Sequence, residues 1–270
     1  MSRLALDSPE LPDAVRPRWP AWNAPVALLS GFGVTIALGA PLIPVILVGL
    51  FSDTLNAFSL LVLVVVQDAA LVGAALVFAN ITLRPRGWHF GVRATPLWAT
   101  VGLAVLAFAL LLGAEVGWIE LLRIDEGNLE DFDDPTVAAG IAFAVMAIVV
   151  APVAEELFFR AFFYRALRTR LKVWSAALID GLVFGALHFQ GVDRDALLVP
   201  PLIAVVGVGL CLLYERTGSI FAVVAVHVAF NTVAMLGVAP VPALVAGSLM
   251  LLACLIVPAR VGRRPSPLPA

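Results

Sequence analysis

Nine polar side chains fall inside stretches that are otherwise apolar: Gln67, Asp68, Glu155, Glu156, Arg160, Asp180, His188, His227 and Asn231. Carboxylates and imidazoles accept, hold and release protons, so this set points to acid–base chemistry or to proton movement. Helical spacing sorts them. Glu156 and Arg160 are four apart, acid first, the order that favours an ion pair on one face. Glu155 is turned about 100° from Glu156 on a helix of 3.6 residues per turn, which leaves its carboxylate free for chemistry. His227 and Asn231 share a face by the same four-residue spacing. Phe184 and His188 repeat it, with Asp180 one further turn back. The third histidine, His89, lies among arginines and is expected to be solvated.

The elements that must position these groups are membrane spans. Of 270 residues, 61% are hydrophobic and 13% charged, and the mean hydropathy is +1.02. A soluble domain of this length has no place for so much apolar surface, whereas a bilayer solvates it directly. Apolar segments of spanning length occur at 26–50, 57–79, 97–117, 137–164, 173–190, 196–213, 219–237 and 241–258. Each must be helical, because lipid offers the backbone no hydrogen-bond partners. The expected fold is therefore an all-α, polytopic transmembrane helical bundle of about eight spans.

Charge placement orients it. Arg84, Arg86 and Arg93 follow the second span, and Arg165, Arg168, Arg170 and Lys172 follow the fourth, whereas the stretch from Glu115 to Asp134 is acidic. An inside N-terminus puts the loop and tail Lys and Arg in the cytosol, apart from Arg123 and Arg194, so both termini are expected to be cytosolic. Residues 1–25, with five prolines, read as a flexible cytosolic leader, 26–258 as one transmembrane domain and 259–270 as a cytosolic tail. Cys211 and Cys254 sit in apolar runs and read as small buried hydrophobes. Counting residues from the cytosolic helix ends puts Glu155 ~15 Å, His188 ~22 Å, His227 ~12 Å and Asn231 ~18 Å deep, so one cluster is geometrically possible.

Taken together, Glu155-Glu156-x-x-x-Arg160, Phe184-x-x-x-His188 and His227-x-x-x-Asn231 resemble the EExxxR, FxxxH and HxxxN motifs of the CAAX-protease and bacteriocin-processing (CPBP) family. That family includes the Rce1-like prenyl-protein endopeptidases. The three motifs occupy residues 151–231, and Ala161 stands where family members often carry Gly. The resemblance implies an intramembrane endopeptidase in which Glu155 is the general base and His188 assists it in activating a water. It also implies that His227 and Asn231 bind that water or the oxyanion. Glu155, His188 and His227 would equally suit a two-His, one-carboxylate Zn2+ site with an open water position, so metal dependence stays open.

Plainer readings stand beside these. Glu156–Arg160 is expected to be a structural ion pair that positions Glu155, Phe184 to be packing, and Asn231 to be either functional or interhelical glue. Asp68 and Asp180 are expected to bond to neighbouring helices. The expected partners are membrane lipids and a peptide or protein at the membrane, not nucleic acid. The Arg-heavy usage fits a bacterial plasma membrane, where a prenylated substrate is not expected. The competing functions are a proton-coupled transporter, since buried Glu, Asp and His also form proton relays, and a non-catalytic immunity or scaffold member of the same family. Signatures of other intramembrane proteases (HExxH, GxSxG, GxGD) do not occur.

Overall fold

A computed structural model of the chain describes residues 19–44, 53–124, 137–189 and 191–260. Among them are eight helices: α1 (Asn23–Gly39), α2 (Asp53–Thr82), α3 (Leu97–Leu122), α4 (137–167), α5 (Val173–Ala186), α6 (Arg194–Thr217), α7 (Ile220–Ala234) and α8 (Pro240–Arg260). No strand occurs among the described residues. Five helices are long and apolar enough to cross a membrane, at Leu61–Thr82, Leu97–Leu122, Gly140–Leu167, Arg194–Thr217 and Pro240–Arg260. The protein is an all-helical membrane bundle. Its outer surface is apolar accordingly: of α3 only Leu111 is buried, while Val105, Leu106, Leu110 and Leu121 point outward.

The other three helices are shorter than their apolar runs. The first run continues past α1 into a tight turn at Ala40–Leu42. Residues 45–52, 125–136 and 261–270 lie outside the described residues, as do residues 1–18 of the leader. Ahead of position 26, Trp19 is fully buried against the rings of Phe90 and Phe162. At 14 residues α5 is about 21 Å long and at 15 residues α7 is about 22 Å. Both fall short of a ~30 Å hydrocarbon core; neighbouring helices wrap one side of α5, while Trp174, Leu178 and Leu182 face outward.

The wrapping depends on α4. Phe158, Phe159, Phe162, Phe163 and Tyr164 form its buried core face, and α2, α5 and α7 pack around it. On the next layer α5 and α6 approach closely through glycines. A Cβ on Gly181 would stand 2.6 Å from the Ala204 carbonyl oxygen, and one on Gly207 would stand 2.9 Å from Gly181 Cα. Small residues at such a crossing let backbones meet where no hydrophobic force separates helix from lipid.

The basic segments gather at one end of the bundle. Ile220 N–H donates to Gly91 O at 3.1 Å, Arg93 to Thr217 O at 3.2 Å and Arg168 to Glu215 at 2.8 Å. Arg123 and Arg194 belong to the other end, where Arg194 reaches the Leu122 carbonyl. His89 corrects the expectation of a solvated ring: it is buried, and its Nδ1 accepts the Arg86 N–H at 3.0 Å. Burial, then the nearby Arg86 and Arg165 charges, hold its basicity below the ordinary imidazole value.

Candidate active site

The Glu155–Glu156 pair sits on a short regular segment of α4, Ala151–Phe158, between two wide π turns at Met146–Val150 and Phe159–Tyr164. π turns inside α-helices insert a residue and are frequent at functional sites. Glu156 lies in the regular segment and Arg160 in the first part of the second π turn, and they pair at 3.0 Å with both side chains fully buried. Arg160 also lies 3.7 Å from Asp180 Oδ1 on α5, donates to Gly207 O on α6 at 3.3 Å and stacks 4.2 Å from the Phe184 ring centre. Cys211 donates to Asp180 Oδ1 at 3.0 Å. Asp180 thus bonds to neighbouring helices, and Arg160 is a cation clamped between two carboxylates. Both cysteines are free thiols.

His227 joins the two glutamates. Its Nδ1 lies 2.8 Å from Glu156 Oε1, the oxygen that also accepts from Arg160. Its Nε2 lies 3.8 Å from Glu155 Oε2. One carboxylate therefore orients the imidazole while the other faces its far nitrogen, an arrangement that holds a ring tautomer. Glu155 Oε2 is enclosed yet meets no hydrogen-bond donor among the described residues. The spacing argument that left Glu155 free holds along its own helix; its partner comes from α7.

Asn231 has a different anchor. In the first π turn Ala151 N–H bonds to Met146 O. Pro152, next in that register, has no N–H for the Ala147 carbonyl. Asn231 Nδ2 donates to that carbonyl at 2.7 Å, replacing the missing backbone donor in a setting where an unpaired carbonyl is costly. Replacing Asn231 with Leu is therefore expected to cost about 1 kcal/mol of stability, read as a lower Tm in detergent. A fall in turnover at unchanged Tm would assign the amide to the reacting atoms instead.

His188 departs from the helical picture. α5 ends at Ala186, so the ring hangs in the turn beyond it, with His188 N–H bonded to Gly185 O at 3.0 Å. Its Nδ1 lies 2.7 Å from Phe184 O. Phe184 is buried and separates the two imidazoles as packing does, its ring centre 4.7 Å from that of His188 and 6.0 Å from that of His227. Among the described residues no three His, Cys, Asp or Glu side chains are grouped to hold a metal ion. Glu155, His188 and His227 are not grouped around one position for a Zn2+ in this arrangement. Asp68 is buried on α2, a helix that packs on α4.

Residues 137–233 match the family profile described as type II CAAX prenyl endopeptidase Rce1-like. The chain is also 27% identical over 168 residues to a Bacillus subtilis (strain 168) protein named "Putative membrane peptidase YdiL". That similarity covers 61% of this chain and 66% of the relative, just under two thirds of its length. No solved structure matches.

Proposed function

We propose that this chain is an intramembrane endopeptidase that uses Glu155 as a general base to hydrolyse a peptide bond in a membrane-associated or lipid-linked peptide, near the cytosolic leaflet. The observation that carries this reading is the juxtaposition of Glu155 Oε2 and His227 Nε2 at 3.8 Å, with His227 fixed from behind by Glu156. A water between the two would lie within hydrogen-bond reach of both.

Glu155 takes a proton from the water as the water oxygen attacks the peptide carbonyl carbon. His227, whose Nδ1–H is given to Glu156, accepts the water's other O–H at Nε2 and aims its oxygen for attack. The C–N bond then breaks, and the proton on Glu155 passes to the departing amine. Buried surroundings favour such a base, since a carboxylate withdrawn from water grips a proton harder. Asn231 acts here by holding α7 against α4, and His188 by closing the site beyond α5.

With the basic end placed in the cytosol by the positive-inside rule, both termini are cytosolic, as in a bacterial plasma-membrane protein. The similarity of residues 137–233 to a prenyl endopeptidase family supports peptide hydrolysis; it does not make the substrate prenylated.

The test is hydrolysis in ¹⁸O-water by the purified full chain in lipid nanodiscs, with a mixture of membrane-anchored peptides. One ¹⁸O in each newly formed carboxyl terminus is the expected result. Absence of new termini, together with proton flux in sealed liposomes, would replace the endopeptidase with a proton-coupled transporter. Absence of both would leave the scaffold reading.

A further inference from the structure

α7 carries His227 on one face and the floor of a cavity on the other. Ala222, Ala225 and Ala229 line a cleft of about 370 Å³ between α3 and α8, with Ala104 on one wall and Leu255 on the other. The three floor alanines lie roughly 170° round α7 from His227, so the cleft is on the side of this helix away from the candidate active site. α3 and α8 each pack on α7 but hardly meet one another, which leaves a slot between them. The slot reaches the outer surface of the bundle, where the lining residues Val105 and Leu255 are exposed. Its volume is that of a ligand pocket, a class that runs from ~300 to ~1,000 Å³.

Depth and charge identify the occupant. Trp22, Trp98 and Trp174 stand out into the surroundings at the starts of α1, α3 and α5, and tryptophan collects where hydrocarbon gives way to lipid headgroups. Trp98 is in the first turn of α3, so the mouth of the cleft lies at headgroup level, at the basic end of the bundle. No lining residue is charged, but two arginines flank the mouth. Arg260 is exposed and follows the lining residue Ala259. The Arg93 guanidinium lies against Gly218, where an added Cβ would collide with it. Ser219, next in the chain, lines the cleft; its Oγ is 1% exposed as part of that residue and meets no hydrogen-bond partner among the described residues.

We propose that this cleft holds one anionic phospholipid. An acyl chain lies along the alanine floor of α7, the phosphate sits at the basic mouth beside Arg260, and a glycerol ester oxygen accepts from the Ser219 hydroxyl. Basic pockets between membrane helices take anionic headgroups in this way. The lipid covers the outward face of a helix only 15 residues long, and its binding is independent of the reaction at His227.

Native mass spectra of the full chain test it, after release from nanodiscs of equimolar dioleoylphosphatidylglycerol and dioleoylphosphatidylcholine. One retained lipid per chain is expected, with phosphatidylglycerol favoured about fivefold, the effect of one arginine at a bilayer surface. Arg260→Gln should bring the two lipids close to parity while one is still retained. Ala104→Trp fills the cleft from a helix in which only Leu111 is buried, and should abolish retention. No lipid on the wild type, equal retention of the two lipids, a preference unchanged in Arg260→Gln or retention undiminished in Ala104→Trp each overturns the proposal. So does displacement of the lipid by a membrane-anchored peptide, which would make the cleft a substrate groove. A dimer that Ala104→Trp dissociates would put a second copy of the chain there instead, and also overturns it.

Discussion

Glu155→Gln is expected to lower the hydrolytic kcat by about 10²–10⁴-fold, the usual contribution of a positioned general base. The substitution keeps the size of the side chain and removes only its ability to take a proton. Fold and assembly should survive it, because Glu155 Oε2 meets no hydrogen-bond donor among the described residues and the side chain remains 19% exposed. The measurements are turnover in nanodiscs and Tm of the same preparation. Undiminished turnover would remove Glu155 from the chemistry. A matched loss of Tm and turnover would make it a structural residue. Glu156→Gln gives the contrast: that side chain is wholly buried and binds both Arg160 and His227, so rate and stability should fall together.

The second large effect is on stability. Arg160→Met removes the cation that stands 3.0 Å from Glu156 and 3.7 Å from Asp180, leaving two buried carboxylates without their counterion. Breaking a buried ion pair in this one-sided way costs about 3–5 kcal/mol, and the loss should appear as a large drop in Tm or failure to accumulate in the membrane. Neutralising the whole group is the informative control. Arg160→Met combined with Glu156→Gln and Asp180→Asn should recover most of the Tm, since replacing every charge removes the desolvation problem. Turnover should not return, because His227 would still lack its carboxylate. A triple variant as unstable as Arg160→Met would show that shape, not charge, governs this part of the core.

Residue spacing carried far in this chain where the interaction was local. Glu156 and Arg160 lie on one continuous helical face, and their pair follows from four-residue spacing alone. The membrane character followed from hydropathy, and the gathering of the basic segments at one bundle end was foreshadowed by their order in the chain. What spacing did not convey depends on contacts between distant segments. His188 sits past the end of α5 at Ala186, in a helix whose Gly181 and Gly185 lie close against α6, a tertiary arrangement with no periodic signature. His227 reaches both glutamates only through the packing of α7 on α4. Pro152 is intermediate: its missing N–H was visible, but the π turn decides which carbonyl is left wanting.

Those π turns also set a rule for altering the protein. Each adds a residue to a helix that otherwise advances about 100° per position, so the parts of α4 before, between and after them are rotated as if they belonged to three helices spliced end to end. The glutamate pair is phased by the middle splice, the Asn231 anchor by the first. Excising one residue at either bulge would rejoin the blocks on its two sides as regular helix and yet turn one block of side chains away from its partners. For this span, length tolerance and functional tolerance are opposed: the most regular version of the helix is the one least able to assemble the site.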